Sequence, residues 1–172
     1  HEELGYNYRM SNVIAGVVRG QYPYLEEHIA AKKRIYERYK EGLKALPIKM
    51  NPFDLEKSTP NYWLSALIID EDAMCKQVRG ENEAVYISES GKSCPTEILD
   101  AISFINAEGR PIWKPMNLQP VYRNNDFIQI ESCKGKSVGE DIFTRGLCLP
   151  SDIKNTKEDM KRIIEIVRGC FR

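Results

Sequence analysis

The sequence contains very few histidines and no closely paired cysteines. Only His1 and His28 occur among its 172 residues, so neither a histidine-based catalytic triad nor a histidine-rich metal centre is expected. The cysteines are odd in number, widely scattered and never spaced as Cys-x-x-Cys, which favours reduced thiols over a disulfide framework or a zinc site. They are Cys75, Cys94, Cys133, Cys148 and Cys170. We therefore predict no metal site.

Long apolar runs and an excess of either charge are also absent. The longest apolar run, Ala66 to Ile69, is far too short to cross a bilayer, and no charged-then-apolar leader is present. Acidic and basic residues number 25 each, so no overall field favours a nucleic acid or an anionic membrane. We expect a cytoplasmic protein with neither partner. A hydrophobic content of 42% suffices for one compact domain, with or without an extension.

The segment Gly5–Asn12 places small, aromatic, amide and guanidinium groups directly ahead of a helical pattern. Tyr6 offers a flat face with a hydroxyl tip, Asn7 can donate two hydrogen bonds, and Arg9 carries a permanent planar charge. This combination suits an anionic ligand that contains a ring. Alternatively, the segment is a structural turn that caps the helix at Ser11.

Apolar residues at helical spacing follow Ser11 and continue beyond Pro23. Because proline removes a backbone donor and clashes with the preceding turn, we predict two successive helices or one bent helix, ending near Leu46-Pro47. The stripe after the proline comprises Leu25, Ile29, Tyr36, Tyr39, Leu43 and Leu46.

The central part of the chain alternates strand and helix signals. Tyr62–Ile69 is aromatic and aliphatic and predicts a strand. The polar segment Asp72–Gly91 indicates a loop or a weak edge strand, with a β-like piece at Ala84–Ile87. Pro95 opens a helix that we expect to end at Gly109. Its predicted buried side comprises Ile98, Leu99, Ile102, Phe104 and Ile105.

Three prolines lie within Arg110–Tyr122. They forbid a regular helix and most ladder pairing, so we predict a short strand followed by an extended, rigid loop. Such a loop can hold ligand groups at a low cost in ordering entropy. The alternative is a surface connector in which Trp113 packs inward.

The last third of the chain predicts two short helices and a strand. Asn124–Gly135 is polar at its ends and apolar at its centre. Ser137–Glu140 has the form of a capping box for a helix that Gly146 ends, and Thr156–Asp159 resembles a second box. Between them, Leu147–Pro150 predicts a buried strand. The whole pattern predicts a small α+β fold whose sheet is covered by helices on one face.

Three segments together resemble the DegT-type sugar-nucleotide aminotransferases, which are pyridoxal-phosphate enzymes of the aspartate aminotransferase superfamily (fold type I). They are Gly5–Asn12, Arg110–Pro120 and Gly146–Ser151. The segments follow the order of that family at similar separations, so the resemblance extends over essentially the whole chain.

The resemblance implies that the chain is the C-terminal part of such an enzyme. Residues 1–24 would be the end of the large cofactor-binding domain and the start of a bridging helix. Residues 25–172 would be the small domain, with a short, mainly antiparallel sheet behind a long N-terminal helix. The Schiff-base lysine would lie ahead of His1, so no catalytic residue is expected within the chain, which should be inactive alone.

The implied reaction moves an amino group from an amino acid, usually glutamate, to a nucleotide-linked keto-sugar in the biosynthesis of cell-surface polysaccharides or glycans. By the pattern of the family, Asn7 would reach the pyridoxal phosphate of a second subunit, which requires a homodimer with shared active sites. Arg9 and Lys114 would bind the sugar-nucleotide diphosphate or the donor carboxylate, and Tyr6 and Asn117 would also contact substrate. The family usually has histidine where Asn117 stands, so we hypothesise either an altered sugar preference or a non-catalytic homologue.

Three alternatives remain at the level of sequence. One is a non-catalytic homologue, a regulator or scaffold, that keeps the fold. Another is a pyridoxal-phosphate-dependent sugar dehydratase. The third is a free-standing α+β binding module. The first two are distinguished from an aminotransferase by the identity of the upstream residue at the Schiff-base position.

Overall fold

The computed structural model describes residues 3–80, 84–128 and 137–172. Its helices are α1 (Asn12–Gln21), α2 (Leu25–Leu43), α3 (Pro95–Ser103), α4 (Val138–Arg145) and α5 (Lys157–Gly169). Its strands are β1 (Ile48–Met50), β2 (Ser65–Ile69), β3 (Lys76–Arg79), β4 (Ala84–Ile87), β5 (Arg110–Pro111) and β6 (Gly146–Leu149). Of the apolar centre predicted within Asn124–Gly135, Phe127 and Ile128 are exposed, and Ile130 lies outside the described residues, as do His1 and Cys133. None of the described helices is long and apolar enough to cross a membrane.

The N-terminal helices form as the sequence predicts. The Ser11 hydroxyl accepts a hydrogen bond from the Ile14 amide at 3.3 Å and caps α1. Pro23 lies in a short 3-10 turn, Tyr22–Tyr24, that separates α1 from α2, so two successive helices are confirmed. No residue of α1 is buried, whereas the second half of α2 buries one face.

The central sheet has the strand order β1-β2-β6-β5, and each neighbouring pair is antiparallel. Side chains of β2 alternate, so that Ser65, Leu67 and Ile69 are buried, and all four residues of β6 are buried. Helices α2, α3 and α5 supply the other half of the core on one face of this sheet. The predicted α+β class, with a short antiparallel sheet covered by helices, is confirmed.

Strand β2 begins three residues later than predicted because of the backbone at Tyr62. This residue has a φ of +54° and packs into an aromatic cluster, its ring centroid 4.7 Å from that of Phe53 and 5.6 Å from that of Tyr36. Asn61 supports the turn by accepting a hydrogen bond from the Trp63 amide at 3.0 Å. The chain is therefore extended only after Trp63, whose side chain is 63% exposed.

A second sheet pairs β3 with β4 in a small antiparallel hairpin. The β-like piece Ala84–Ile87 is confirmed as β4. Of the two alternatives for the polar segment before it, a loop or a weak edge strand, the strand forms at β3, although Lys76–Arg79 contains a single apolar residue, Val78. Contacts outside the strand hold it: Arg79 donates to the Phe143 carbonyl at 2.8 Å, and Gln77 donates to the Thr144 carbonyl at 2.7 Å.

Helix α3 is shorter than the sequence predicts. It ends at Ser103 rather than near Gly109, and Asn106 turns the chain with a φ of +56°. Phe104 is consequently 86% exposed, so its assignment to the buried side is wrong. Ile98 and Ile102 are fully buried, and Leu99 and Ile105 pack partly buried against the same core.

The proline-rich segment contains the predicted short strand, β5, but not an extended loop. Two 3-10 turns follow instead, at Met116–Leu118 and Pro120–Tyr122, because the fixed φ of proline suits the start of such a turn. Trp113 does not pack inward: it is 63% exposed and lies 6.1 Å, centroid to centroid, from Trp63.

The two predicted capping boxes differ in outcome. At α5 the box is complete, since Thr156 and Asp159 each bond the backbone N–H of the other. At α4, Ser137 occupies the N-cap position but makes no capping bond with its side chain, so that box is wrong. Gly146 does end α4, as predicted, and opens the buried strand β6.

Candidate functional site

The N-terminal segment forms a compact cluster of hydrogen-bond donors. The Asn7 side-chain oxygen accepts from the Arg9 amide at 3.0 Å and from Arg9 Nε at 2.8 Å. Tyr8 between them has a φ of +51°, which lets the turn close. The oxygen of Asn7 is thereby occupied, and no partner within the described chain engages the Asn7 NH₂ group or the two terminal guanidinium nitrogens. Asn7 and Arg9 therefore present hydrogen-bond donors, which are the groups that bind anions.

Aromatic rings flank this donor cluster. Tyr6 and Tyr8 are both exposed, with ring centroids 5.8 Å apart and planes tilted by 50°. Together with Asn7 and Arg9, Tyr6 borders a shallow concavity that also involves Glu3–Gly5. The structure thus brings together three of the predicted site residues, Tyr6, Asn7 and Arg9, on an exposed surface.

A second candidate site surrounds Asn117. The Asn117 amide nitrogen donates to Glu140 Oε1 at 2.5 Å, and the residue borders a cavity of about 440 Å³. The cavity lies between the turn at Met116–Leu118 and the start of α4. Its described lining combines aromatic, amide, hydroxyl and carboxylate groups: Pro115, Met116, Asn117, Tyr122, Asn125, Asp126, Phe127, Ser137 and Gly139.

Lys114 lies on the same loop as Asn117 but does not border that cavity as described. Its side chain is half-buried, and its backbone carbonyl accepts a hydrogen bond from Gln119 Nε2 at 3.1 Å. This bond closes the loop over residues 114–119. Tyr6, Asn7 and Arg9 line the concavity near the N-terminus, and Asn117 lines the cavity of about 440 Å³. The chain by itself therefore does not bring the Asn7 cluster together with Lys114 and Asn117.

The sequence pattern did not identify Glu140 as a site residue. Its Ser-x-x-Glu context predicts a capping role toward Ser137, yet its carboxylate binds Asn117 instead. Asp126 and Tyr122 also border the cavity without a local motif that would have identified them. Their only sequence signal is their position directly after the proline-rich loop.

Three of the thiols that the structure describes are not nucleophilic at neutral pH. Cys75, Cys94, Cys148 and Cys170 are free and buried or half-buried. Burial raises the pKa of Cys75 to about 12 and that of Cys170 to about 11, and it also raises the pKa of Cys148, so these three thiols stay protonated at neutral pH. In the part of the chain that the structure describes, no group of three His, Cys, Asp or Glu residues could hold a metal ion.

Comparison with known proteins gives one consistent family. A model of the DegT/DnrJ/EryC1/StrS aminotransferase family matches residues 1–168. EpsN of Bacillus subtilis (strain 168), named as a proposed pyridoxal phosphate-dependent aminotransferase, is 33% identical over 172 residues, which is 99% of this chain and 38% of that protein. The GDP-perosamine synthase of Vibrio cholerae is 22% identical over 171 residues, covering 99% of this chain and 40% of the synthase.

The fold agrees with that family. The crystal structure of a DegT DnrJ EryC1 StrS aminotransferase from Brucella abortus superimposes with a TM-score of 0.69 at 18% identity, over 99% of this chain and 40% of that one. At this identity the likeness shows the fold alone. The chain spans about two fifths of the length of the curated relatives described above.

Proposed function

This chain belongs to the DegT/DnrJ/EryC1/StrS aminotransferase family, and from that membership we propose that it is the C-terminal part of a pyridoxal-phosphate-dependent enzyme. The complete enzyme transfers an amino group from an amino acid, glutamate in our proposal, to a nucleotide-linked keto-sugar used in polysaccharide or glycan biosynthesis. The observation that carries the proposal is the family match over residues 1–168. A cytoplasmic location is part of it, consistent with the free, scattered thiols.

The donor cluster at Asn7 fits the phosphate of the cofactor. Because Arg9 occupies the Asn7 oxygen, the amide can only present N–H groups outward, and N–H donors are what a phosphate oxygen accepts. Pyridoxal phosphate, when bound, supplies the electron sink for amino transfer. The part of this chain is to hold the phosphate through Asn7. The lysine that binds the cofactor covalently lies, in this proposal, outside residues 1–172.

Arg9 and Lys114 are the proposed partners of substrate anions. Arg9 retains two terminal guanidinium nitrogens beside the Asn7 amide, so a diphosphate or a donor carboxylate can be bound there with fork geometry. Lys114 carries a point charge on the loop that precedes Asn117. Tyr6 and Asn117 are the proposed contacts to the uncharged parts of the substrate, through a ring face and an amide.

Helix α1 gives the proposal its domain organisation. Residues 1–24 would belong to the large domain and the start of the bridging helix, and residues 25–172 to the small domain. Four apolar side chains of α1, Val13, Ile14, Val17 and Val18, are all exposed. A contiguous apolar face of this kind indicates a partner surface, here the large domain of the same enzyme. The exposed position of Asn7 suits a homodimer in which it serves the cofactor of the second subunit.

Amino transfer by the complete enzyme tests the proposal. With pyridoxal phosphate, glutamate and a panel of keto-sugar nucleotides, we expect 2-oxoglutarate to form only when a keto-sugar is present. Asn7→Ala should weaken cofactor binding about tenfold, the effect of losing a hydrogen bond to a charged group. Gln21→Ala, which truncates an exposed amide at the end of α1, is the matched control. Cofactor-dependent amino transfer that is absent with every keto-sugar would overturn the assignment.

A further inference from the structure

We propose that Glu140 is a positioning residue that fixes the side-chain amide of Asn117, so that Asn117 accepts a hydrogen bond from the ligand in its cavity. The proposal rests on the proposed function, since it assigns that ligand as the sugar ring of the substrate. It adds a chemical requirement: the group of the sugar that meets the Asn117 carbonyl oxygen must be a donor, namely a hydroxyl or an amino group.

The orientation of the amide follows from the chemistry of the contact. An asparagine side chain can present either its oxygen or its NH₂ group, but a carboxylate can only accept. The 2.5 Å contact with Glu140 Oε1 therefore requires the NH₂ group of Asn117 on that side. This leaves its carbonyl oxygen, which accepts no hydrogen bond within the described residues, as the acceptor available to the cavity that Asn117 borders, beside the second N–H of the amide.

The backbone around Asn117 removes the remaining freedom. The residue lies at the centre of the turn Met116–Leu118, which is closed by the Leu118 amide on the Pro115 carbonyl and by the Gln119 amide on the Met116 carbonyl, both at 3.0 Å. Pro115 restricts the chain further at the start of the turn. Because the backbone is held in this turn, the freedom that remains to Asn117 is rotation of its side chain. The hydrogen bond to Glu140 fixes that rotation.

Glu140 makes this contact in place of a role that its sequence position offers. In the matching motif at α5, the N3 carboxylate of Asp159 reaches back to the Thr156 backbone N–H and completes the capping box. At α4 the equivalent bond is missing and the Glu140 carboxylate points to the loop. Proteins break favourable local rules of this kind mainly at functional sites, which is why we assign the contact a role in binding.

The cavity has the size and composition for a sugar ring. Its volume of about 440 Å³ lies within the ordinary range of small-molecule sites. Tyr122 and Phe127 offer apolar faces for the C–H groups of a ring, and Asp126 offers a further acceptor. A hydroxylated ring presents both kinds of surface, so a ring hydroxyl is the donor that we expect at the Asn117 oxygen.

A ligand-free experiment tests the contact. Asn117→His places a titratable ring beside Glu140, and a neighbouring carboxylate raises the pKa of a histidine. In NMR titrations of the full chain we expect that pKa to be about 1 unit higher in Asn117→His than in Asn117→His/Glu140→Gln. Asp126 and Tyr122, the titratable groups in the described lining of the cavity, are present in both proteins, as is every other group except residue 140, so their effects cancel. Equal pKa values would overturn the proposal.

A kinetic experiment on the complete enzyme tests the consequence. Wild type should prefer a keto-sugar nucleotide over at least one of its deoxy analogues by about tenfold or more in kcat/KM. Glu140→Lys turns the acceptor into a donor, so the amide must reverse, and the preference should fall mainly through KM. Glu140→Gln can still accept through its side-chain carbonyl and should retain the preference, as should the surface control Glu158→Gln.

The two experiments distinguish a failure of the positioning role of Glu140 from a failure of the proposed function. A preference that is unchanged in Glu140→Lys would overturn the positioning role even if the histidine titration shows the contact. If the wild-type enzyme turns over no keto-sugar, the proposed function fails and the sugar assignment fails with it. The titration would then still decide whether Glu140 holds residue 117.

Discussion

Tyr39 connects α2 to the central sheet through a buried side chain and a hydrogen bond. Its side chain is fully buried, and its hydroxyl donates to the Pro150 carbonyl at 2.7 Å, directly after β6. Burial raises the pKa of this phenol, so it remains a neutral donor at any physiological pH. The bond links the second helix to the strand at the centre of the sheet.

Tyr39→Phe should lower the free energy of unfolding by about 1–2 kcal/mol, because the Pro150 carbonyl loses its buried partner while the ring packing is kept. Tyr22→Phe removes a hydroxyl from an exposed ring and should change stability by less than about 0.5 kcal/mol. Urea denaturation followed by circular dichroism measures both. Equal stability of the two variants would contradict the role given to the Tyr39 hydroxyl.

Side-chain contacts can be anticipated from sequence where the partners are close along the chain. Asn7 and Arg9 are two positions apart, and their side chains meet. The contact between Asn117 and Glu140 joins residues 23 positions apart and is invisible to any local pattern. The contact of Trp113 with Trp63 has a related cause, since the two rings are brought together only by the fold.

At the scale of elements, the junction between α4 and β6 depends on Gly146. A Cβ atom there would lie 2.5 Å from the Ile142 carbonyl oxygen and 2.8 Å from Ile112 Cγ1. The backbone angles at Gly146 (φ −106°, ψ 153°) are open to any residue, so the requirement is for space. A helix can therefore pass directly into a fully buried strand at this position.

Gly146→Ala should lower the free energy of unfolding by about 1–3 kcal/mol, because a backbone carbonyl cannot move aside as a flexible side chain can. Gly16→Ala is the matched control. A Cβ at that position in α1 meets nothing within 4 Å, and alanine should stabilise this helix by about 0.5–1 kcal/mol. Chemical denaturation distinguishes the opposite signs, and a Gly146→Ala protein as stable as wild type would exclude the steric requirement.

The capping box of α5 should make stability depend on acid pH. Bonds from the Thr156 side chain and backbone lower the pKa of Asp159. A lowered folded-state pKa means that the stabilisation is present above the ordinary aspartate pKa of about 3.9 and is lost as pH falls through the folded value.

Loss of the cap in Thr156→Ala should cost about 1 kcal/mol at pH 7, and the difference from wild type should shrink as pH falls through the lowered folded-state pKa of Asp159. Thr156→Ser keeps the hydroxyl and should behave as wild type at every pH. Unfolding curves at pH 7 and in a descending acid series measure the effect. A difference that stays constant throughout the acid series would show that the Asp159 carboxylate contributes nothing.

Elements were predictable where one local signal dominates. The Ser11 cap, the break at Pro23, the piece Ala84–Ile87 and the end of α4 at Gly146 all follow from local chemistry. Local chemistry left a loop and a weak edge strand both open for the polar segment around β3, and tertiary contacts decide between them. Strand β3 forms although it is polar, because Arg79 and Gln77 bond to the end of α4.

At the scale of the whole molecule, two features of the chain support the proposal that it is part of a larger enzyme. One is the apolar face of α1, formed by Val13, Ile14, Val17 and Val18. These side chains are exposed, and no residue of α1 is buried by the described part of the chain. The other is the separation of the Asn7 cluster from the cavity at Asn117. Both fit a chain that spans about two fifths of its curated relatives, with the remaining part of the site supplied by another domain or subunit.

The most direct test of the central claim, that this chain completes a pyridoxal-phosphate enzyme without supplying its covalent lysine, is borohydride reduction with the cofactor bound, followed by peptide mapping. We expect one stoichiometric pyridoxyl-lysine in the complete enzyme, outside residues 1–172, and none in this chain alone. A stoichiometric, stable pyridoxyl group on a single lysine within residues 1–172 would contradict the account.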